Sequence, residues 1–299
     1  MKFLITSSRF ASRFHKFQTQ LLTSSSSQQL KFASPSSSSS SSDSLTSCLD
    51  DDYGIRTITL NNPRKRNALS LEMLQSLASS ISKPWDNLRI IVIKATGPVF
   101  SSGHDLKELS KERPSSYHAD VIQLCSKLMN SFKDIPVPIM AQVQGLATAA
   151  GCQLVASCDI AIAAKSARFA TPGINHSLFC TTPGVALGRA VPRKAALYML
   201  FTGFQITADE ALRFGLISEV VADEFLENEA RRIAESISRS SKPVIKLGKK
   251  AFYQQIGLNQ EAAYDLATTT MVDNLKIRDA QEGIEAFLQK RQPKWNHKG

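Results

Sequence analysis

A run of small residues between two apolar segments sets the first limit on this fold. Residues 141–159 read AQVQGLATAAGCQLVASCD. Strand character begins at Ile139, is entered through Pro136 and Pro138, and ends near Val143. Residues 145–151 carry no bulky side chain except Leu146, and helix is expected from about Ala149 onward. A chain that passes from strand to helix on small residues leaves its first helical N–H groups open to whatever is placed against them. The positive end of the helix dipole lies behind them, so they suit an oxygen that gains negative charge. A plain packing turn is the other reading of the same residues.

Residues 100–109, FSSGHDLKEL, repeat the arrangement. They follow an apolar strand at 89–95 and a Gly97–Pro98 turn, and they are expected as strand, Ser/Gly turn and helical start. Two N–H-rich turns converging on one carbonyl oxygen can polarise a thioester or stabilise an enolate. FSSGHDLKEL and QGLATAAGCQLVASCDIAIAA resemble the paired oxyanion-hole motifs of the crotonase (enoyl-CoA hydratase/isomerase) superfamily. NPRKRNALS at 62–70 is similar to that family's first motif, and DAQEGIEAFLQKRQPKW at 279–295 to its C-terminal signature.

This resemblance covers about residues 53–295. It implies an α/β fold, a crotonase-type spiral of β-β-α units with a helical C-terminal region. It implies an acyl-CoA thioester as ligand, no further cofactor, and a homotrimer or hexamer. Carried over residue by residue, the oxyanion donors are the backbone N–H groups of His104 and Ala150. Arg64 and Lys65, with Arg66, fall along the CoA phosphates. Gly103, Asp105, Leu106, Lys107 and Gly151 complete the substrate-binding positions.

Two departures from the family pattern bear on chemistry. The family's hydratases use two glutamates to add and remove water. One follows the Gly-Cys of the second motif, where this chain has Gln153; the other ends an F-x-x-P-E segment, where Phe169 and Pro172 are followed by Gly173. An amide orients a water but accepts no proton at neutral pH, and glycine offers no group at all. His104, His176 and Cys180 are candidate replacements. Each also has a plainer reading: His176 as a polar loop residue, Cys180 as a buried thiol, His104 as a donor through its main chain only. Two functions therefore stay open. One is an acyl-CoA enzyme relying mainly on enolate stabilisation, as in isomerisation, decarboxylation or weak hydration; the other is a non-catalytic acyl-CoA-binding or assembly subunit.

Composition bounds the remainder. The chain has 299 residues and a net charge of +10. Residues 1–43 hold five basic residues and no acid before Asp43, with serine runs at 24–27 and 36–42, and Phe3, Leu4, Phe10, Phe14 and Phe17 can form an apolar face. Such a leader resembles a mitochondrial transit peptide. A plastid address shares this composition, and a low-complexity tail is the bland alternative. Residues 1–50 are expected as leader and disordered Ser-rich linker, 51–250 as the spiral core and 251–299 as the helical trimerisation region. The mitochondrial matrix is the expected location. The basic residues form no aromatic-interleaved stripe, so nucleic acid is not the expected partner. No apolar run reaches the roughly 18 residues of a membrane span. The five cysteines make no C-x-x-C pair, and neither they nor the five histidines have zinc-like spacing, so no metal is expected.

Local signals fill in the elements. A strand is expected at 53–61. Ser70 caps a helix with Leu71, Leu74, Leu77 and Ile81 at helical spacing. Residues 117–132 make an amphipathic helix, and the strand–strand–helix rhythm recurs at 139–164. TADE at 207–210 is a capping box, with Gly215 closing that helix. Further helices are expected at 192–203, 225–237 and 261–275.

Overall fold

The structure is a computed structural model and describes residues 44–298. The transit-peptide-like segment 1–43 lies outside the described residues. The first element is β1 (Thr46–Asp50), an edge strand antiparallel to β2 (Ile55–Leu60). This corrects the expectation of unfolded linker up to residue 50. Arg56 is the reason: it lies fully buried on β2 and its guanidinium is held by both carboxylate oxygens of Asp50, at 2.7 and 2.9 Å. Arg56 also donates to the Lys83 carbonyl at 2.6 Å, at the C-terminal end of α1 (Leu71–Ser82), where free carbonyls and the negative end of the dipole favour a cation.

A repeated path builds the rest. β3 (Ile90–Ala95) is followed by short bridges at Val99 and Ser101 and then α2 (Ser115–Ser131). β4 (Ile139–Val143) is followed by β5 (Leu146–Thr148) and α3 (Ala150–Ser157). β6 (Ile160–Ala164) is followed by β7 (Arg168–Ala170) and, after a 3-10 turn at Pro172–His176, α4 (Thr181–Ala190). The turns after β4 and β6 thus each give one strand to a large sheet, one short strand to a small sheet, and a helix, while the turn after β3 reaches the small sheet only through the bridges at Val99 and Ser101. α5 (Arg193–Thr202), β8 (Ile206–Thr207), α6 (Ala208–Phe214) and β9 (Glu219–Val221) close the spiral. The large sheet has the order β1-β2-β3-β4-β6-β9 and is parallel apart from β1; the small sheet has the order β5-β7-β8.

Strands buried on both faces explain the near-continuous apolar runs. Ile90, Val92, Met140 and Ile162 pack beneath α7 (Leu226–Ser238) through Leu226, Ala230 and Ala234. Ile91 and Ile93 alternate to the opposite face and are also buried. The expected caps are present: the Ser70 hydroxyl accepts from Met73 N–H, Thr207 and Glu210 form the capping box, and Gly215 has φ +82°. The C-terminal region holds α8 (Lys242–Gln255), α9 (Gln260–Lys276) and α10 (Arg278–Leu288). α8 runs unbroken across residue 250, so the helical region starts at 242 rather than 251. It is tied to the spiral by Lys249, whose ammonium meets Asp159 at 2.7 Å while Tyr253 donates to the other carboxylate oxygen at 2.7 Å. Asp159 also accepts from Ile139 N–H at 2.7 Å, which fixes the start of β4.

Candidate functional site

The two small-residue turns meet. A first side-chain carbon on Gly103 would stand 3.0 Å from the Ala150 nitrogen and 2.8 Å from the Ala149 Cβ. A side chain on Gly151 would run into the Ser101 carbonyl oxygen at 2.5 Å. Only glycines permit this approach of backbone to backbone. Ser101 N–H donates to the Leu146 carbonyl at 3.2 Å, and Thr148 N–H returns a bond to the Ser101 carbonyl at 2.9 Å. β5 was not expected from the sequence. It converts the small-residue turn into a strand that fastens one loop to the other.

The first turn is held from below by Asn67, a fully buried residue at φ +50°. Its amide donates to the carbonyls of Thr96 at 2.9 Å and Val99 at 2.8 Å, and its Oδ1 accepts from Asn62 N–H at 2.8 Å. The Ser101 hydroxyl donates to the Asn67 carbonyl at 2.8 Å, and Leu69 N–H donates to the Gly103 carbonyl at 2.7 Å. Ala149 begins the second turn at φ +51°, ψ −119°. That is the first central position of a type II′ turn, where glycine is usual. The strained residue directs Ala150 N–H, the first of α3.

Neither His104 N–H nor Ala150 N–H donates to a protein acceptor among the described residues. His104 and Ala150 are thus open donors on two turns packed against each other, with the α3 dipole behind the second. The His104 ring points toward the 62–70 segment: Nδ1–H donates to the Leu69 carbonyl at 3.2 Å, leaving the lone pair on Nε2, which is buried without a partner among the described residues. Burial holds this histidine below its ordinary value, against the weaker pull of Leu69 and Glu108, so it is neutral at pH 7.

The other expected positions fall as follows. Arg64 and Lys65 lie exposed in the 3-10 turn Pro63–Lys65, before the left-handed Arg66. Asp105 caps its own turn, accepting from Lys107 N–H at 3.0 Å. Leu106 and Lys107 are exposed. Residues 105–109 form turns rather than the expected helical start; Glu108 N–H bonds the Asp105 carbonyl, and helix begins only at Ser115. The Glu108 carboxylate instead caps α1, accepting from Leu71 N–H at 2.8 Å, and takes the Tyr117 hydroxyl at 3.0 Å.

Gln153 is buried in the first turns of α3. Gly173 lies in the 3-10 turn after β7, and a side chain there would meet the Leu178 carbonyl oxygen at 2.2 Å and the Cys180 sulfur at 2.8 Å. The remodelled 173–180 segment has closed over the space where a side chain would leave the backbone. His176 is exposed, and burial keeps the Cys180 thiol above its ordinary value and protonated. Burial pushes the neighbouring Cys152 thiol up to about 12. Neither thiol is a ready nucleophile. Three residues escaped sequence reasoning: Asn67, Thr148 and Thr171. Asn67 had a visible signal, an Asn ending a basic loop where a left-handed residue is tolerated. The two threonines had none.

Comparison with known proteins agrees with this architecture. The family description "Enoyl-CoA hydratase/isomerase" matches residues 50–298, and the chain belongs to that family, with its crotonase fold. Among curated relatives it is 60% identical over 255 residues to "Enoyl-CoA hydratase domain-containing protein 3, mitochondrial" of Mus musculus, covering 85% of each chain. The protein of the same name from Homo sapiens is 59% identical over 246 residues, covering 82% of this chain and 81% of that one. The crystal structure of the human protein superposes with a TM-score of 0.83 at 58% identity, covering 84% of this chain and all of that one.

Proposed function

We propose that this chain is a mitochondrial protein that holds the thioester carbonyl of an acyl-CoA between the backbone N–H groups of His104 and Ala150. The observation that supports the reading is the seating of Gly103 against the Ala150 nitrogen, beside two N–H groups that have no acceptor among the described residues. A donor aimed at a developing oxyanion contributes about 3–4 kcal/mol to its stabilisation. Arg64 and Lys65 meet the CoA phosphates. Gly103, Asp105, Leu106, Lys107 and Gly151 shape the walls, and no cofactor beyond the ester is required. The relatives' names support the mitochondrial location, and a role in fatty-acid metabolism follows from an acyl-CoA ligand.

Efficient hydration is not part of this function. Water addition needs a base for the water and a proton source for the α-carbon, and each positioned group is worth about 10²–10⁴ in rate. Gln153 supplies neither, and Gly173 leaves no room for a side chain. The same two residues favour the second reading, an acyl-CoA-binding subunit with little turnover. Titration calorimetry with a panel of acyl-CoA esters, with product analysis on the same samples, separates the two. Heat with turnover supports the enzyme, heat without turnover the binding subunit, and no heat with any ester contradicts both. Ala150→Pro, which removes one donor, should abolish carbonyl polarisation.

A further inference from the structure

A cationic cleft lies between α8 and the chain that enters β4. Its cavity measures about 270 Å³; Lys133, Asp134, Ile135 and Pro136 form one side, and Lys246, Lys250, Tyr253 and Gln254 the other. It shares no residue with the two donor turns. α8 carries Lys242, Lys246, Lys249 and Lys250 and no acid between Lys242 and Gln255. Lys246 and Lys250 stand one helical turn apart, and Tyr253 and Gln254 fall one turn further on, so the four share a face. Like charges at this spacing repel.

The ion pairs of the region do not relieve that repulsion. Lys133 pairs with Asp134 at 2.8 Å and Lys249 with Asp159 at 2.7 Å, which leaves Lys246 and Lys250 without an acid partner among the described residues. The lining holds three lysines against Asp134, so the cleft is net positive. Its walls are fixed before anything binds. The buried Lys249 ammonium donates to the Val137 carbonyl at 2.9 Å and clasps the segment after Pro136 to α8. The Tyr253 hydroxyl donates to Asp159 at 2.7 Å, and burial together with that carboxylate keeps it protonated, above its ordinary value. Asp159 also accepts from Lys249 and from Ile139 N–H, so its carboxylate is taken up inside the fold. Tyr253 thus turns its hydroxyl inward and leaves its ring, with Ile135 and Pro136, as an apolar wall beside the lysines.

Fixed walls lose little freedom on binding. Ammonium groups are point charges without the planar fork that suits a carboxylate, and one phosphoryl group accepts from several of them. The volume admits a small molecule. We propose that this cleft binds a small phosphate-bearing ligand, with its phosphate between Lys246, Lys250 and Lys133 and its organic body against Ile135, Pro136 and Tyr253. The inference does not depend on the thioester reading.

The test is titration calorimetry on the full chain with inorganic phosphate, phenyl phosphate and citrate, at about 150 mM salt so that diffuse attraction is screened. Phenyl phosphate should bind one to one and about tenfold more tightly than inorganic phosphate, because its ring leaves water. Citrate should bind more weakly than phenyl phosphate. Lys246→Gln with Lys250→Gln should weaken phenyl phosphate by about tenfold. Arg64→Gln with Lys65→Gln should leave it unchanged, which separates the cleft from the basic loop at 62–67. A readout without substitution is reductive methylation: bound phenyl phosphate should protect Lys246 and Lys250 while the exposed Lys194 reacts at its usual rate. If the lysine variant does not fold, this protection decides. No binding of phenyl phosphate, an affinity unchanged in the lysine variant, or no protection of Lys246 and Lys250 overturns the inference. Loss of binding in the Arg64 and Lys65 variant, or tighter binding of citrate, also overturns it.

Discussion

Ala149 holds the second donor in place at the cost of its own comfort. An alanine at φ +51° is strained by roughly 1–3 kcal/mol relative to an allowed conformation, and glycine is not. Ala149→Gly should therefore raise stability by about 1 kcal/mol in urea denaturation; a loss of stability would show that the methyl packs more than it strains. His104 gives a pH dependence. Its folded value is lowered from 6.5 by burial, so below pH 6.5 the unfolded chain binds a proton that the fold refuses. Stability should fall as pH drops from 6.5 toward the folded value, with no contribution above. His297 is lowered in the same way, so the readout is the difference between wild type and His104→Gln. The variant should show a flatter melting-temperature profile between pH 7.5 and 5.5, and an identical slope would contradict the assignment. Glutamates placed at both positions, Gln153→Glu with Gly173→Glu, would match the family pattern in sequence alone, because the Leu178 carbonyl oxygen lies 2.2 Å from the carbon a side chain at 173 would add. The double variant should be destabilised and remain a poor hydratase toward crotonyl-CoA.

At the level of elements, the sequence was legible wherever a local rule has one outcome. Ser70, the TADE box and Gly215 cap their helices because each signal is complete within a few residues. The β-β-α rhythm shows in the apolar strands and in the family resemblance. What stayed hidden depends on partners far along the chain. β5 is three small residues whose strand character comes from pairing with β7. Arg56 sits in a strand where alternation assigns a face but does not reveal that Asp50 neutralises it. β1 hides for the same reason, since nothing in TSCLD announces an edge strand. Removing β1 exposes Arg56 and strips its ion pair, and breaking a buried pair by removing one partner costs about 3–5 kcal/mol. A chain starting at Asp51 should therefore fail to fold or melt far below one starting at Ser44. Asp50→Ala should reproduce much of that loss in thermal unfolding. Equal melting temperatures would mean that β1 is dispensable.

Among the described residues much apolar surface is exposed. α9 buries none of its residues, and Tyr264, Met271, Val272, Phe287 and Leu288 are exposed on α9 and α10. A second set, Leu178, Phe179, Tyr198, Phe201 and Phe204, is exposed around α4 and α5. Two different apolar patches on one chain suit head-to-tail contacts that close into a ring, and exposed patches of this kind mark interfaces. We propose a homotrimer, alone or paired as a hexamer. Sedimentation should give a mass three or six times that of the chain, and Phe287→Asp should shift it toward the monomer. No helix among the described residues is long and apolar enough to cross a membrane. Thioester polarisation requires the two open donors, His104 N–H and Ala150 N–H, to reach one carbonyl oxygen. The direct measurement is the infrared stretch of a ¹³C-labelled thioester carbonyl in a saturated acyl-CoA, free and bound. Binding should lower the frequency, as two N–H groups draw electron density toward the oxygen, and Ala150→Pro should return it toward the free value. A bound ester whose carbonyl frequency equals that of the free ester would contradict the assignment of His104 and Ala150.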